Sequence, residues 1–352
     1  MTRFAAIGLD HRHVYDMTEA LLRAGASCAG HDPETSDPSV LAGFRKRFPD
    51  VPAVARERLL DDPSIGCVVL SAVPRDRAAL AVDAMRRGKD VMSDKPGVTT
   101  PEHLDAVQAA ARETGRLWSL CLGRAASPSV QAALRVVRAG ELGRLAHVTS
   151  LAPHRLNRAL RPDWFFDKPA YGGIINDIGV HGIDTFLALA EADQGDGVEA
   201  VIETGTIGTF GTEPEGFEDF AEFTLSTPSL RGWCRVDWFT PDGLPDWGDG
   251  RLFVVGTEGT LELRKNLDIE GRPGGDHMFV ANRTGTRHVD CAALPVTYFA
   301  DFLHAVRSRD FSALDPERGY TVCRMALEAQ ANAKRFVTRG ARGSGRGSAR
   351  NP

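Results

Sequence analysis

The segment Tyr171-Gly-Gly-Ile-Ile-Asn-Asp177-Ile-Gly-Val-His181-Gly-Ile-Asp184 sets one carboxylate four residues before an imidazole and another three residues after it. On a single helix these side chains share a face. Ile174, Ile178, Ile183, Phe186 and Leu187 fill the neighbouring positions, and polar groups inside an apolar helix are costly unless paired or used. His181 beside Asp177 therefore reads as an acid–base pair whose tautomer the carboxylate sets. A satisfied core histidine with a structural aspartate fits the same spacing. Gly172-Gly173 would let a ligand approach the backbone. A second cluster, Asp94-Lys95-Pro96, directly follows the apolar run at Asp90-Val-Met92. A lysine at the C-terminal edge of a parallel strand stands where open α/β sheets take ligands, and partly desolvated it can give or take a proton near neutral pH. For the tripeptide alone, a solvated surface lysine is the plainer reading.

The third cluster is the turn Gly8-Leu9-Asp10-His11-Arg12-His13. A dinucleotide-binding turn reads G-x-G-x-x-G, because glycines let the backbone approach a pyrophosphate held at a helix N-terminus. Here only Gly8 keeps its place; Asp10 and His13 replace the other two. The turn is thus either an altered phosphate site or an ordinary strand-to-helix turn with Asp10 as cap. Asp32 follows the second apolar run at about the spacing expected of a carboxylate that accepts from ribose hydroxyls, and Asp32-Pro33 is also plain turn chemistry. His11 and His13, two apart, would face different directions on a helix, so no metal site is expected. These side chains are expected to line a cofactor or substrate mouth, with Arg12 neutralising phosphate charge.

The elements that must position these groups fall into two patterns. Short apolar runs at Phe4–Gly8, Ser27–Gly30, Ile65–Leu70, Asp90–Met92 and Leu117–Leu122 alternate with helix-like stretches such as Ala78–Arg87 and Pro101–Thr114. That is the pattern of a doubly wound parallel sheet. Thr100 before Pro101 is a helix start. After a helical connector near Ser129–Ala139, longer strand-like runs follow at Ala146–Ala152, Val198–Gly208, Phe217–Ser226, Gly232–Phe239 and Arg251–Leu263, with a hairpin turn at Gly256-Thr-Glu-Gly259. Two amphipathic helices, Tyr298–Arg309 and Glu317–Phe336, are expected to pack back on the body. The fold class is α/β, with residues 1–122 as a Rossmann domain and 123–338 as an α/β domain with a mostly antiparallel sheet. Residues 339–352, with four arginines, four glycines and no large aliphatic, are expected to be a disordered basic tail.

Bulk composition excludes several classes. In 352 residues, 42 Lys plus Arg oppose 47 Asp plus Glu, a net charge of −5 that is too balanced for a nucleic-acid binder. Cys28, Cys67, Cys121, Cys234, Cys291 and Cys323 are too dispersed for a zinc clip or a redox pair and read as buried thiols. No membrane-length apolar run and no leader pattern occur, so the expected compartment is the cytoplasm.

Asp94-Lys95-Pro96 resembles the E-K-P signature of the glucose–fructose oxidoreductase / inositol dehydrogenase / rhizopine-catabolism oxidoreductase family, with Asp for Glu. Gly172-Gly173-x3-Asp177-x-Gly179-x-His181-x2-Asp184 resembles that family's G-G-x3-D-x-G-x-H-x2-D segment, and Trp164 and the order of elements also fit. The resemblance, over about residues 4–336, implies a nicotinamide cofactor and hydride transfer at a hydroxyl or carbonyl carbon of a sugar, cyclitol or polyol. It implies that Lys95 binds and polarises the reacting oxygen, that His181 is the general acid/base, and that Asp177 orients them. It places Pro74, Arg77 and Asp94 with the cofactor, although Arg77 stands where the family has histidine. In the segment approaching the glycine pair, Arg155, Asn157 and Trp164 are candidates to read substrate beside Lys95, Asp177 and His181, and each of the three fits an exposed loop residue equally well. NAD is favoured over NADP because Pro33-Glu34 follows Asp32 with no adjacent arginine for a 2′-phosphate. The family also implies self-association, as a dimer or tetramer, through the second sheet. Two other outcomes are compatible with the resemblance: an NAD-dependent glycosidase working by transient oxidation, and a non-catalytic ligand sensor.

Overall fold

The computed structural model describes residues 1–123, 127–212, 214–268 and 270–337; the expected tail, 339–352, lies outside the described residues. The first sheet is built from β1 (Arg3–Leu9), β2 (Ser27–His31), β3 (Ile65–Ser71), β4 (Asp90–Asp94) and β5 (Trp118–Cys121), in the order β2-β1-β3-β4-β5 and parallel throughout. Its connections are α1 (His13–Arg23), α2 (Pro38–Arg47) with α3 (Arg56–Asp61), α4 (Pro74–Arg86) and α5 (Pro101–Thr114). Strands buried on both faces explain the near-continuous apolar runs. The Thr100 hydroxyl accepts from His103 N–H and Pro101 opens α5, as the sequence suggests.

The chain then passes through α6 (Pro128–Arg138), β6 (Leu145–Pro153), the short α7 (Lys168–Tyr171), a π-helical turn (Ile175–Gly179) and α8 (Val180–Gln194). The remaining elements are β7 (Val201–Thr209), β8 (Phe220–Ser226), β9 (Arg231–Asp237), β10 (Arg251–Gly256), β11 (Gly259–Arg264), β12 (His277–Asn282), β13 (Gly285–Asp290), α9 (Tyr298–Ser308), α10 (Pro316–Asn332) and β14 (Lys334–Val337). The second sheet has the order β13-β12-β11-β10-β6-β9-β8-β7-β14. Among its described residues, only β6–β9 and β7–β14 pair in parallel. The hairpin turn at Gly256–Gly259 is where the sequence puts it, with Val255 opposite Thr260.

Two features depart from the sequence reading. The expected helix Glu317–Phe336 ends at Asn332, because Lys334–Val337 add to the edge of β7 as a strand. Gly208 makes this possible: a Cβ there would stand 2.5 Å from the Phe336 ring. Strands β12 and β13 continue the sheet beyond the last expected run. One core cluster spans both sheets and α8, and a second joins α9 (Phe302, Leu303, Ala305) to α1 and the first sheet. All six cysteines are free thiols, and no helix among the described residues is long and apolar enough to cross a membrane.

Candidate active site

A cavity of about 790 Å³ opens where the C-terminal ends of β1, β4 and β5 face β6, α8 and the β10–β11 end of the second sheet. Asp10, His11, Arg12, His13, Asp94, Lys95, Asn157, Trp164, Asp177 and His181 line it. Gly8, Asp32, Pro74 and Arg77 do not.

Lys95 directly follows β4, and its Nζ donates to Asp177 Oδ1 at 2.8 Å and to the Asp177 carbonyl at 3.1 Å. Both side chains are buried. Burial opposes ionisation of Asp177, but Lys95 outweighs it and holds the carboxyl below its usual range. The expected His181–Asp177 pairing is therefore replaced by a Lys95–Asp177 ion pair. The cause is local: Asp177 lies in the π turn, not in the helix that carries His181. The turn's leading amides are held from outside, Ile174 N–H by Glu218 and Ile175 N–H by Gln330. Gly172 and Gly173, at φ +87° and +95°, serve packing instead of ligand approach: a Cβ on Gly173 would stand 2.3 Å from Gln330 and one on Gly172 2.7 Å from Asn176.

His181 Nδ1 accepts from the Gly123 N–H at 3.1 Å. A backbone amide can only donate, so the neutral ring carries its proton on Nε2. Burial, reinforced by Lys95 and Lys265, holds His181 well below its usual pKa. His154 has the opposite tautomer, because its Nδ1 must donate to the Ala152 carbonyl (3.0 Å). Burial and then Lys95 lower it to about 3.

The turn expected to take phosphates is rearranged. The Asp10 carboxylate accepts from Thr35 Oγ1 (2.8 Å), Ser36 N–H (2.5 Å), Ser36 Oγ (2.8 Å) and Val73 N–H (3.3 Å), so it ties the β2–α2 loop to the β3–α4 loop. The amides of Asp10 and His11 both donate to the Ser71 carbonyl. Gly8 keeps φ +63°, and a Cβ there would lie 2.4 Å from that of Ala72. What faces the cavity is the N-terminus of α1 with the exposed Arg12. Asp32 has no accessible side-chain surface; it accepts from Arg56 Nε at 2.7 Å and Glu34 N–H at 3.0 Å. The expectation that no arginine stands beside Asp32 is corrected, since Arg56 arrives from α3.

His11 and His13 do converge, contrary to the spacing argument, because His11 precedes α1. Their Nδ1 atoms lie 3.2 and 2.8 Å from the Asp94 carboxylate, and the three groups sit within 4.8 Å of one another, close enough to hold a metal. Asp94 also accepts from Ser71 Oγ (2.9 Å), Lys95 N–H (2.7 Å) and the buried Arg77 (3.1 Å). Burial opposes its ionisation, but His13 and Arg77 hold it well below the usual range. Arg77, bound also to the Ala72 and Pro96 carbonyls, clamps two loops instead of meeting a ligand.

The sequence reading missed His154, Arg161, Trp238, Trp247 and Lys265, all of which line the cavity. Arg155, expected to read substrate, lines it too, but its guanidinium is held by the carbonyls of Pro241 and Leu244.

Residues 37–121 match a family model described as oxidoreductase family, NAD-binding Rossmann fold, and residues 130–262 match the GFO/IDH/MocA C-terminal domain. The first match begins after the phosphate turn and Asp32. The chain is 38% identical to a protein of Erwinia carotovora atroseptica SCRI1043 that carries an oxidoreductase assignment, covering 96% of this chain and 100% of that one with a TM-score of 0.89. It is 30% identical to 1,5-anhydro-D-fructose reductase of Ensifer adhaerens over 167 residues, 45% of this chain and 47% of that protein, so it spans about half the length of that curated relative. Levoglucosan dehydrogenase, solved with NADH and levoglucosan, shares the fold at 18% identity and TM-score 0.75, covering 94% of this chain and 97% of that one.

Proposed function

The chain belongs to the GFO/IDH/MocA oxidoreductase family, and from that premise we propose that it transfers a hydride between a nicotinamide dinucleotide and a hydroxyl or carbonyl carbon of a sugar, cyclitol or related polyol. The observation that carries this reading is the buried Lys95–Asp177 pair set beside His181 in the wall of one cavity. A bound nicotinamide supplies the hydride donor or acceptor; the chain must hold the reacting oxygen and move one proton. Lys95 is the group for both. Its ammonium binds the oxygen and releases a proton to the developing alkoxide in reduction; in oxidation the neutral amine takes the proton from the hydroxyl. Asp177 orients Lys95 and balances its charge. His181, neutral with its proton on Nε2, offers the same oxygen a hydrogen bond, a narrower role than the acid/base one implied by family resemblance.

Arg12 and the N-terminus of α1 would hold the cofactor phosphates, with Asp94 and Lys95 at the nicotinamide end. NAD is the proposed form, because Asp32 and Glu34 outnumber Arg56 at the end of β2 and disfavour a 2′-phosphate. Titration by nicotinamide fluorescence, followed by a polyol and sugar screen at the NADH absorbance, tests the reading. NADH binding with turnover of a polyol is expected. Absence of any nicotinamide binding, or NADP binding without NAD binding, overturns the corresponding part.

A further inference from the structure

The substrate end of the cavity carries positive charge that the protein itself leaves unbalanced. Among the described residues from 123 onward the only carboxylate in the lining is Asp177, which Lys95 already engages. Four cations share that stretch: Arg155, Arg161, Arg251 and Lys265. Arg251 is neutralised by Asp249 at 2.6 Å, and Arg155 is held by carbonyls. The other two have no carboxylate within ion-pair distance among the described residues. Arg161 uses its Nε on the Leu156 carbonyl and lays its guanidinium over Phe165 (4.3 Å) and Trp238 (5.3 Å). Lys265 Nζ has no hydrogen-bond acceptor among the described residues and stands 5.8 Å from the Trp247 ring centre.

These two cations end one continuous row. From Arg161 it runs through Trp238, His154 (5.4 Å from Trp238) and Trp247 (4.6 Å from His154) to Lys265. Indole faces with a few polar groups are the lining expected for an amphipathic ring such as a pyranose. The row also reaches the reacting centre. A Cβ placed on Gly123 would stand 3.3 Å from His181 Nδ1 and 3.7 Å from Lys265 Nζ. Lys265 is exposed and lines the cavity. Enough protein surrounds its ammonium for burial to lower its pKa, with Asp276 and Asp246 opposing from a distance. A cation so placed loses its remaining water when the cavity fills, which is costly unless the ligand brings the opposite charge.

We propose that this end of the cavity binds an anionic group on the substrate, a carboxylate or a phosphate ester, with Lys265 as its counter-charge and Arg161 as a second donor. The substrate class is then a sugar or cyclitol acid, or its phosphate, in preference to a neutral polyol. This rests on the oxidoreductase reading for the word substrate, but the binding it asserts does not.

Isothermal titration calorimetry on the full chain, without nicotinamide, separates the two. D-glucuronate, D-gluconate and D-glucose 6-phosphate are compared with D-glucose. At least one anion is expected to bind about ten- to a hundredfold more tightly than glucose, the range of a charge-assisted hydrogen bond. Which anion binds distinguishes carboxylate from phosphate. In Lys265→Met that advantage should disappear while glucose binding and the thermal midpoint hold, and Lys265→Arg should restore most of it. Failure of every anion to bind more tightly than glucose, or an advantage that survives Lys265→Met, overturns the proposal. Turnover of a neutral polyol on a nicotinamide, with no anion bound more tightly than glucose, would overturn it and leave the oxidoreductase reading standing. Anion binding lost in Lys265→Met, with no turnover on any nicotinamide, would sustain it and overturn that reading instead.

Discussion

Lys95 Nζ bonds both the carboxylate and the backbone carbonyl of Asp177, 82 residues away, and so ties the end of β4 to the π turn that precedes α8. Each charge is buried and each depends on the other. Removing one partner leaves an uncompensated charge, a loss of about 3–5 kcal/mol in buried pairs, whereas replacing both with apolar groups costs far less. Lys95→Met and Asp177→Leu are each expected to be strongly destabilised in urea unfolding, and the double variant to be more stable than the sum of the two losses implies. Additive losses would show that the pair does not couple the end of β4 to the π turn. In turnover, Lys95→Met should lower kcat by about 10² or more.

The Gly123 amide fixes which nitrogen of His181 can act. If His181 works as a neutral donor, its titration leaves no trace near the ordinary histidine pKa. The profile of kcat/KM is expected to be flat from about pH 5.5 to 7.5, and His181→Gln, which can still donate, to retain more activity than His181→Ala. A limb near pH 6.5 that vanishes in His181→Gln would show that the ring cycles through its charged form.

Arg12 is the exposed cation at the altered phosphate turn, where the amides of Asp10 and His11 are already committed to Ser71. If the cofactor phosphates bind there, one guanidinium carries an outsized share of their recognition. Arg12→Ala is expected to weaken NADH binding about tenfold by fluorescence titration, one charge-assisted hydrogen bond, and to flatten its salt dependence. An unchanged dissociation constant would move the phosphates elsewhere.

Acid should unfold this protein earlier than its carboxylates alone would. Burial holds His11 and His154 at about 3 and His181 well below 6.5. Unfolded, each takes a proton near pH 6.5. Between pH 6.5 and about 3 the unfolded chain thus binds more protons than the folded one, and stability rises with pH across that window. The contribution of the neutral rings is complete above pH 6.5 and is lost as pH falls, at about 1.4 kcal/mol per ring per pH unit. Urea unfolding between pH 6 and 5 should show this slope, reduced by about one ring's share in His154→Gln. A slope unaffected by that substitution would mean His154 takes its proton in the folded state.

The legibility of the sequence followed the range of the interactions. Strands buried on both faces and capped helices such as α5 are local and could be read directly. So could the residues that line the cavity near Lys95 and His181. Their pairing could not, because a π turn has the same apolar pattern as an α-helix and the partner of Asp177 is distant in the chain. Arg56 reaches Asp32 from 24 residues away, which hid the neutralisation of that carboxylate. Lys265 follows Arg264 at the end of β11 and resembles any solvated strand terminus until the fold sets it in the cavity wall. Strand β14 was hidden in a helical pattern, since nothing local says that the edge of β7 needs a partner.

Glu218 offers a test of whether the π turn is held for function. Its carboxylate accepts from Ile174 N–H at 3.0 Å and Gln330 Nε2 at 2.9 Å, and pairs with Lys168 at 2.8 Å and with Arg335 of β14. Burial opposes its charge, but Lys168 and the Ile174 amide outweigh that and keep it ionised. Gln330 meanwhile holds the Ile175 amide, so Glu218 and Gln330 together set the entrance to the turn that presents Asp177. Glu218→Gln keeps the size and one acceptor but removes the charge. Because Lys168 and Arg335 are about half exposed, the stability loss should be modest, about 1–2 kcal/mol. The kinetic loss should be larger in kcat than in KM, since a displaced Asp177 misaligns Lys95 without emptying the pocket. A variant with the stability loss but unchanged kcat would make Glu218 a purely structural tie, and the turn would then hold its shape without it.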